Sequence, residues 1–143
     1  MTVGRILERK GYGLETAPPS TKIAAIAHHL QDQDIGAIVI VDDNGSLNGI
    51  ISERDIVRAL ATHGASILDK PASVIMTKRV ITATEDEPAR EIMRLMTESK
   101  FRHVPITREG RLVGLVSIGD LVKHRISELE NETEAFRVYI QAA

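Results

Sequence analysis

Residues 45–58, GSLNGIISERDIVR, are written a second time as residues 110–123, GRLVGLVSIGDLVK. At a fixed offset of 65, six of the fourteen positions are identical, and Ile50/Leu115, Ile51/Val116, Ile56/Leu121 and Arg58/Lys123 are conservative exchanges. Both copies carry a turn glycine, an apolar run, Ser-x-x-Asp and an apolar pair. Self-similarity at a fixed spacing decides the architecture before any single residue does. Two copies of one structural unit are expected.

The repeat extends upstream. Before the turn the offset is 66, as in Leu30/Met96, Ile35/Phe101 and Gly36/Arg102; after it the offset is 65. The one missing residue falls in a hairpin loop, where a deletion costs least. Within each copy, alternation and 3.6-residue spacing predict strand, helix, strand, strand, helix. In the first copy these are residues 14–17, a helix carrying Ile23, Ile26 and Leu30 with Ser20-Thr21 as its N-cap, strands 37–41 and 47–51 joined by Asp42-Asp43-Asn44-Gly45, and a helix opened by Ser52 and closed by His63-Gly64. In the second they are residues 80–82, a helix over 85–99 with Pro88 in its first turn, strands 104–107 and 112–116, and a last helix. A short helix over 3–9 precedes everything. The organisation expected is repeat one over 3–64, a connector over 65–73, repeat two over 74–125 and a helical extension over 126–143.

That last helix departs from the repeat. Val122, Ile126, Leu129, Phe136 and Ile140 recur at spacings of 4, 3, 7 and 4, with Glu128, Glu130, Glu132 and Glu134 between them. An amphipathic helix of this length needs a surface to lie on, its own domain or a second copy.

Composition narrows the classes. The 143 residues suffice for one core or for two small repeats sharing one. A net charge of −2, with both signs mixed along the chain, advertises no basic face for nucleic acid or anionic lipid. The longest apolar run, 37–41, is far short of a membrane span, and the charged opening residues have no signal-peptide core. No cysteine is present, which removes disulfides, thiolate nucleophiles and zinc–thiolate sites. A cytoplasmic protein is the expectation. With no Trp, two Phe and two Tyr, a planar ligand has mainly aliphatic side chains to pack on.

Ser52-x-x-Asp55 and Ser117-x-x-Asp120 stand where a buried strand enters a helix, and they support two readings. One is a capping box, in which serine and acid satisfy free amides at the helix start. The other uses the same place chemically. A helix N-terminus favours phosphate, and a nearby carboxylate accepts from both hydroxyls of a ribose. Cations must then balance the carboxylate, and Arg54, Lys78, Arg102 and His103 are the candidates. His28 and His29, about 100° apart on one helix, do not face one metal and read as solvated surface. His63 reads as a helix-end residue, and His124 has no acidic partner fixed by sequence. Met93 and Met96 have core spacing. No glycine-rich dinucleotide loop, P-loop or nucleophilic triad is present.

The closing Gly-[Ile/Leu]-[Ile/Val]-Ser-x-x-Asp of each copy, with Arg102-His103-Val104-Pro105 opening a strand, resembles a pair of cystathionine-β-synthase (CBS) domains. The resemblance covers about residues 3–125 and implies an α/β fold of the α+β type: tandem β-α-β-β-α repeats in a pseudo-two-fold pair, with the long C-terminal helix added. It implies a stand-alone, non-catalytic regulatory module. Such a module binds adenosine-containing ligands (AMP, ADP, ATP, in some cases NAD(H) or S-adenosylmethionine) in clefts between the repeats. It commonly assembles as a homodimer and signals energy or redox state to a partner protein, here unidentified. By position, Asp55 and Asp120 become ribose acceptors, Ser52 and Ser117 lie beside the ribose-phosphate, and Arg102 and His103 face phosphate. Val104 and Pro105 follow in the same motif, and Thr16 and Thr82 line the base pocket. The first-copy counterparts of Arg102 and His103 are Gly36 and Ala37, and the second-copy counterpart of Arg54 is Gly119. The two sites are therefore unequal, and the one built on Asp120 looks the stronger. The competing reading is a structural homodimerisation module in which both aspartates only cap helices. Neither reading needs a metal or a catalytic cofactor.

Overall fold

The computed structural model describes residues 1–142 and has the repeat the sequence predicts. Each copy forms a three-stranded sheet with helices. The two compact units do not follow chain order, however. One is residues 13–81; the other joins residues 1–12 to residues 82 onward.

In the unit of residues 13–81, β1 (Thr16–Ala17), α2 (Ile23–Gln33), β2 (Ala37–Val41), β3 (Leu47–Ser52) and α3 (Glu53–His63) follow in order. Two 3₁₀ turns, Ala65–Asp69 and Ala72–Val74, then form the connector. The sheet order is β1-β2-β3, with β1 parallel and β3 antiparallel to β2. The core takes Ile23, Ile26 and Leu30 from α2, Ile38, Ile40 and Ile51 from the sheet, and Ile56 and Ala59 from α3. Residues 37–40 are buried on both sides, as their unbroken β-branched run requires. Past the 3₁₀ turns the chain returns to the sheet, where Ile50 and Thr77 exchange backbone hydrogen bonds of 3.1 and 2.9 Å.

The other unit begins with α1 (Val3–Lys10) and resumes with β4 (Ala83–Thr84), α4 (Ala89–Ser99), β5 (His103–Arg108), β6 (Arg111–Ser117) and α5 (Ile118–Ala142). Its sheet repeats the topology as β4-β5-β6. Val3, Ile6 and Leu7 of α1 join Ile92, Met96, Val104, Ile106, Val116 and Leu121 in its core. Around the start of α1, Val3 and Gly4 donate to Glu87 and Glu85 carbonyls, and Ala89 donates to Met1. Arg108 holds Glu85 through two guanidinium nitrogens, Nε and Nη2, and lies over the Tyr12 ring, whose hydroxyl donates to Glu85 at 3.0 Å.

The hairpins carry the one-residue deletion where the offsets place it. Both sheets have a bulge at the equivalent step, Ile40/Val41 and Ile106/Thr107. Beyond it the first loop is closed by Asp42, whose carboxylate accepts from the Asn44 and Ser46 amides. The second is a two-residue turn, Glu109-Gly110, with φ of 51° and 79°. Two positive φ values match the tight turn that suits strand twist.

Four boundaries differ from the sequence reading. Helix α2 starts from Lys22 with no side-chain cap, so Ser20 and Thr21 do not cap it. Strand β1 is Thr16–Ala17, two residues shorter than expected. Helix α4 starts at Ala89, four residues late, because Pro88 keeps the residue before it out of the helical region. Residues 85–88 instead form a turn in which the Thr84 amide donates to Glu87 Oε2 at 2.6 Å. Strand β4 is Ala83–Thr84 and not 80–82. In the first copy Thr16 pairs with Val39, whose N–H donates to the Glu15 carbonyl. The second-copy counterpart of Val39 is Pro105, which has no N–H, so the parallel ladder begins one residue later.

Candidate functional site

Each repeated Ser-x-x-Asp lies at a direct strand-to-helix passage. Ser52 ends β3 and Ser117 ends β6, and the neighbouring strand fixes both turns. Glu53 N–H donates to Gly36 O at 3.0 Å, and Ile118 N–H donates to Arg102 O at 2.8 Å. Opposite the two serines stand Ala37 and His103.

Both motifs are closed capping boxes. Asp55 N–H donates to Ser52 Oγ at 3.3 Å, and Ser52 N–H donates to Asp55 Oδ2 at 2.9 Å. In the second copy Asp120 N–H donates to Ser117 Oγ at 3.1 Å, and Ser117 N–H donates to Asp120 Oδ2 at 2.9 Å. The capping reading is therefore realised in geometry. It uses a single carboxylate oxygen. In both copies that oxygen is Oδ2. Both carboxylates are half-buried, and the cap bonds leave their second oxygen unused.

The two aspartates differ in a way the repeat does not reveal. Lys10 Nζ, at the end of α1, lies 2.7 Å from Asp120 Oδ2 and donates also to Leu115 O at 2.7 Å. Burial pushes the Asp120 carboxyl up, but the bonds from Lys10 and Ser117 outweigh it and hold the group below its usual range. The Asp55 side chain bonds Ser52 through Oδ2, with no counterpart of the Lys10 bond. The first-copy counterpart of Leu115 is Ile50, whose carbonyl accepts from the Thr77 amide. A lysine ammonium thus does in one unit what a backbone N–H does in the other.

Sequence reasoning missed Lys10 because α1 lies outside the clearest repeat and its partners are 105 and 110 residues away. One faint signal existed. At the offset of 66, Lys10 matches Met76, next to the residue that bridges to Ile50.

The structure gathers Arg102, His103, Ser117 and Asp120 at one end of the β5–β6 pair, with Arg102 exposed and His103 part-buried. Ser52 and Asp55 share their turn with exposed Arg54. Lys78 is exposed just past the Thr77 bridge. Thr16 and Thr82 are exposed, Thr16 opening β1 and Thr82 preceding β4. Val104 is 0% exposed within the core and Pro105 is buried, so both act through the sheet they build.

The remaining titratable groups point elsewhere. His29 Nε2 meets Glu15 Oε2 at 2.8 Å on the surface, and His28 and His63 are exposed. His124 corrects the sequence reading. It is buried, and Nε2 lies 2.6 Å from Glu128 Oε1, one helical turn on, in a close contact off hydrogen-bond geometry. Burial raises Glu128, but His124 and Arg125 outweigh it and leave the carboxyl below its ordinary value. Among the described residues no cluster of three or more His, Asp or Glu side chains is placed to hold a metal, and no helix is long and apolar enough to cross a membrane.

With twin sheets, twin capped helices and the doubled motif in register, the chain belongs to the CBS domain family. The family model matches twice, over residues 6–62 and 72–127. A CBS-domain protein from Agrobacterium tumefaciens has a similar crystal structure, with a TM-score of 0.86 and 42% identity, covering 87% of this chain and 99% of that one. The CBS domain protein PAE2072 from Pyrobaculum aerophilum, solved in complex with AMP, is 29% identical with a TM-score of 0.79, over 93% of this chain and 99% of its own. The mitochondrial CBS domain-containing protein CBSX3 of Arabidopsis thaliana is 34% identical over 116 residues, 78% of this chain. The match spans 56% of that relative's length.

Proposed function

We propose that this chain is a non-catalytic regulatory module that binds an adenosine-containing ligand, AMP, ADP, ATP or NAD(H), and reports energy or redox state to a partner protein as a cytoplasmic homodimer. One observation carries the reading: each capping box closes through Oδ2 of a half-buried aspartate at a helix N-terminus and does not use Oδ1. A ribose hydroxyl donates there without dismantling the cap, so the structural and the ligand roles coexist. In the unit of residues 13–81 Arg54 and Lys78 supply charge for phosphate and Thr16 borders the base; in the other unit Arg102 and His103 supply it and Thr82 borders the base. The AMP complex of PAE2072 supports the ligand class.

Calorimetry on protein stripped of carried-over ligand tests it. AMP is expected to bind, and Asn at the occupied aspartate is expected to weaken it about tenfold or more, the scale of one charge-assisted hydrogen bond. No heat with AMP, ATP, NAD or S-adenosylmethionine at millimolar levels removes the proposal. The complete caps favour one alternative, a structural homodimerisation module. Under that reading the same variants change stability and leave every titration flat. Detectable nucleotide turnover would instead make the module an enzyme.

A further inference from the structure

The second half of α5 has no surface of its own to lie on. Only Leu121 and His124 of this helix are buried, and every residue over 129–142 is exposed, a length of about 20 Å. Phe136 is 68% and Ile140 64% exposed. A free helix of that length is marginal in water, and this one displays an apolar stripe.

The stripe has the coiled-coil period. Val122, Ile126, Leu129, Thr133, Phe136 and Ile140 follow at alternating steps of 4 and 3, filling d and a positions of successive heptads. Thr133 fits a buried a position because its hydroxyl already donates to Leu129 O at 2.9 Å. A hollow runs along this face, lined by Ile126, Leu129, Glu130, Thr133, Glu134 and Arg137. The first four are an a, d, e and next a residue, the corners of a hole for a d-position knob from a facing helix.

Charge selects the partner and its direction. The g and e positions hold Arg125, Glu130, Glu132 and Arg137. In a parallel pair each g residue meets the e residue five places on in the other strand, so Arg125 meets Glu130 and Glu132 meets Arg137, twice each by symmetry. An antiparallel pair centred on the seam sets Glu130 and Glu132 against their own copies and Lys123 against Arg137.

The geometry points to a second copy of this chain as the occupant: α5 pairs in parallel with its counterpart through the 122–140 seam as a two-stranded coiled coil. This rests on the homodimer reading above and names the contact. The cysteine-free chain permits a direct test on the full-length protein, through Phe136→Cys with Asn131→Cys, on the outer face, as control. Light scattering is expected to give a dimer mass, and mild oxidation to cross-link Phe136→Cys and not Asn131→Cys, since only in a parallel pair does residue 136 face itself. The double variant Glu130→Lys/Glu132→Lys is expected to drop to monomer mass while still titrating AMP. A dimer that ignores the charge reversal and does not cross-link at 136 overturns the seam and leaves the homodimer standing. A wild-type monomer at high micromolar concentration overturns both.

Discussion

The two sheets are near copies, yet each completes its outer edge differently. In the unit of residues 13–81 the chain following the 3₁₀ turns lies along β3, and Thr77 bonds Ile50 through the backbone. In the other unit a helix lies across β6, and Lys10 reaches Leu115 O and Asp120 with its side chain. The segment preceding the second repeat serves the first sheet, and the segment preceding the first repeat serves the second. Backbone pairing brings no lysine to Asp55; side-chain pairing brings Lys10 to Asp120. Identical motifs thus acquire different electrostatics from what is laid over them.

The largest test of that contrast is steric. Gly49 and Gly114 are equivalent, and both are closely covered. A Cβ at Gly49 would stand 2.8 Å from the Thr77 carbonyl oxygen, which is backbone held in the bridge. At Gly114 it would stand 2.8 Å from Leu7 Cδ2, the end of a flexible side chain. Gly49→Ala is therefore expected to cost about 1–3 kcal/mol in urea unfolding, and Gly114→Ala clearly less. Equal costs would mean that α1 is as unyielding as the Thr77 bridge.

Next come the caps. Asp55→Ala and Asp120→Ala each open a capping box and are expected to lower apo stability by about 1 kcal/mol. Asp120→Ala also strands the Lys10 ammonium, so it should be the worse of the two at neutral pH; thermal unfolding of both variants checks the order.

The smallest effect isolates the ion pair. The folded carboxyl of Asp120 lies below its unfolded value of about 3.9. Its pairing with Lys10 therefore contributes fully above that value, and the contribution is lost as pH falls through the folded one. Lys10→Met is expected to cost about 1 kcal/mol or less near pH 7, with the gap between wild type and variant closing as pH falls through the folded value. A gap that persists in acid would assign the loss to the lysine stem and not to its charge. The same variant removes one of the two donors on Oδ2 and leaves the Ser117 bond, so adenosine, which lacks phosphate, is expected to bind at Asp120 about threefold to tenfold more tightly.

Much of this was legible because it is local. Ser-x-x-Asp closes over three residues, the loop deletion shows as a change of offset, and the strand pattern of 37–41 needs no partner to be recognised. Two boundaries slipped for a reason also written in the chain: Pro88 delays α4, and Pro105 removes the N–H that would start β4 a residue earlier. Sequence weighed Asp120 with its neighbours Arg102 and His103 and placed the stronger site there as an expectation. It had no means of seeing that the nearest cation would arrive from residue 10.

The sequence by itself determined a doubled unit, its hairpins, the Ser-x-x-Asp motif at each strand-to-helix passage and an apolar stripe on the last helix, since each depends on side-chain types at fixed short spacings. Only the tertiary structure decided which segment covers which sheet, and hence that Asp120 holds a lysine while Asp55 does not. Contacts across more than a hundred residues are set by how whole elements bury their apolar faces, and no spacing along the chain encodes them.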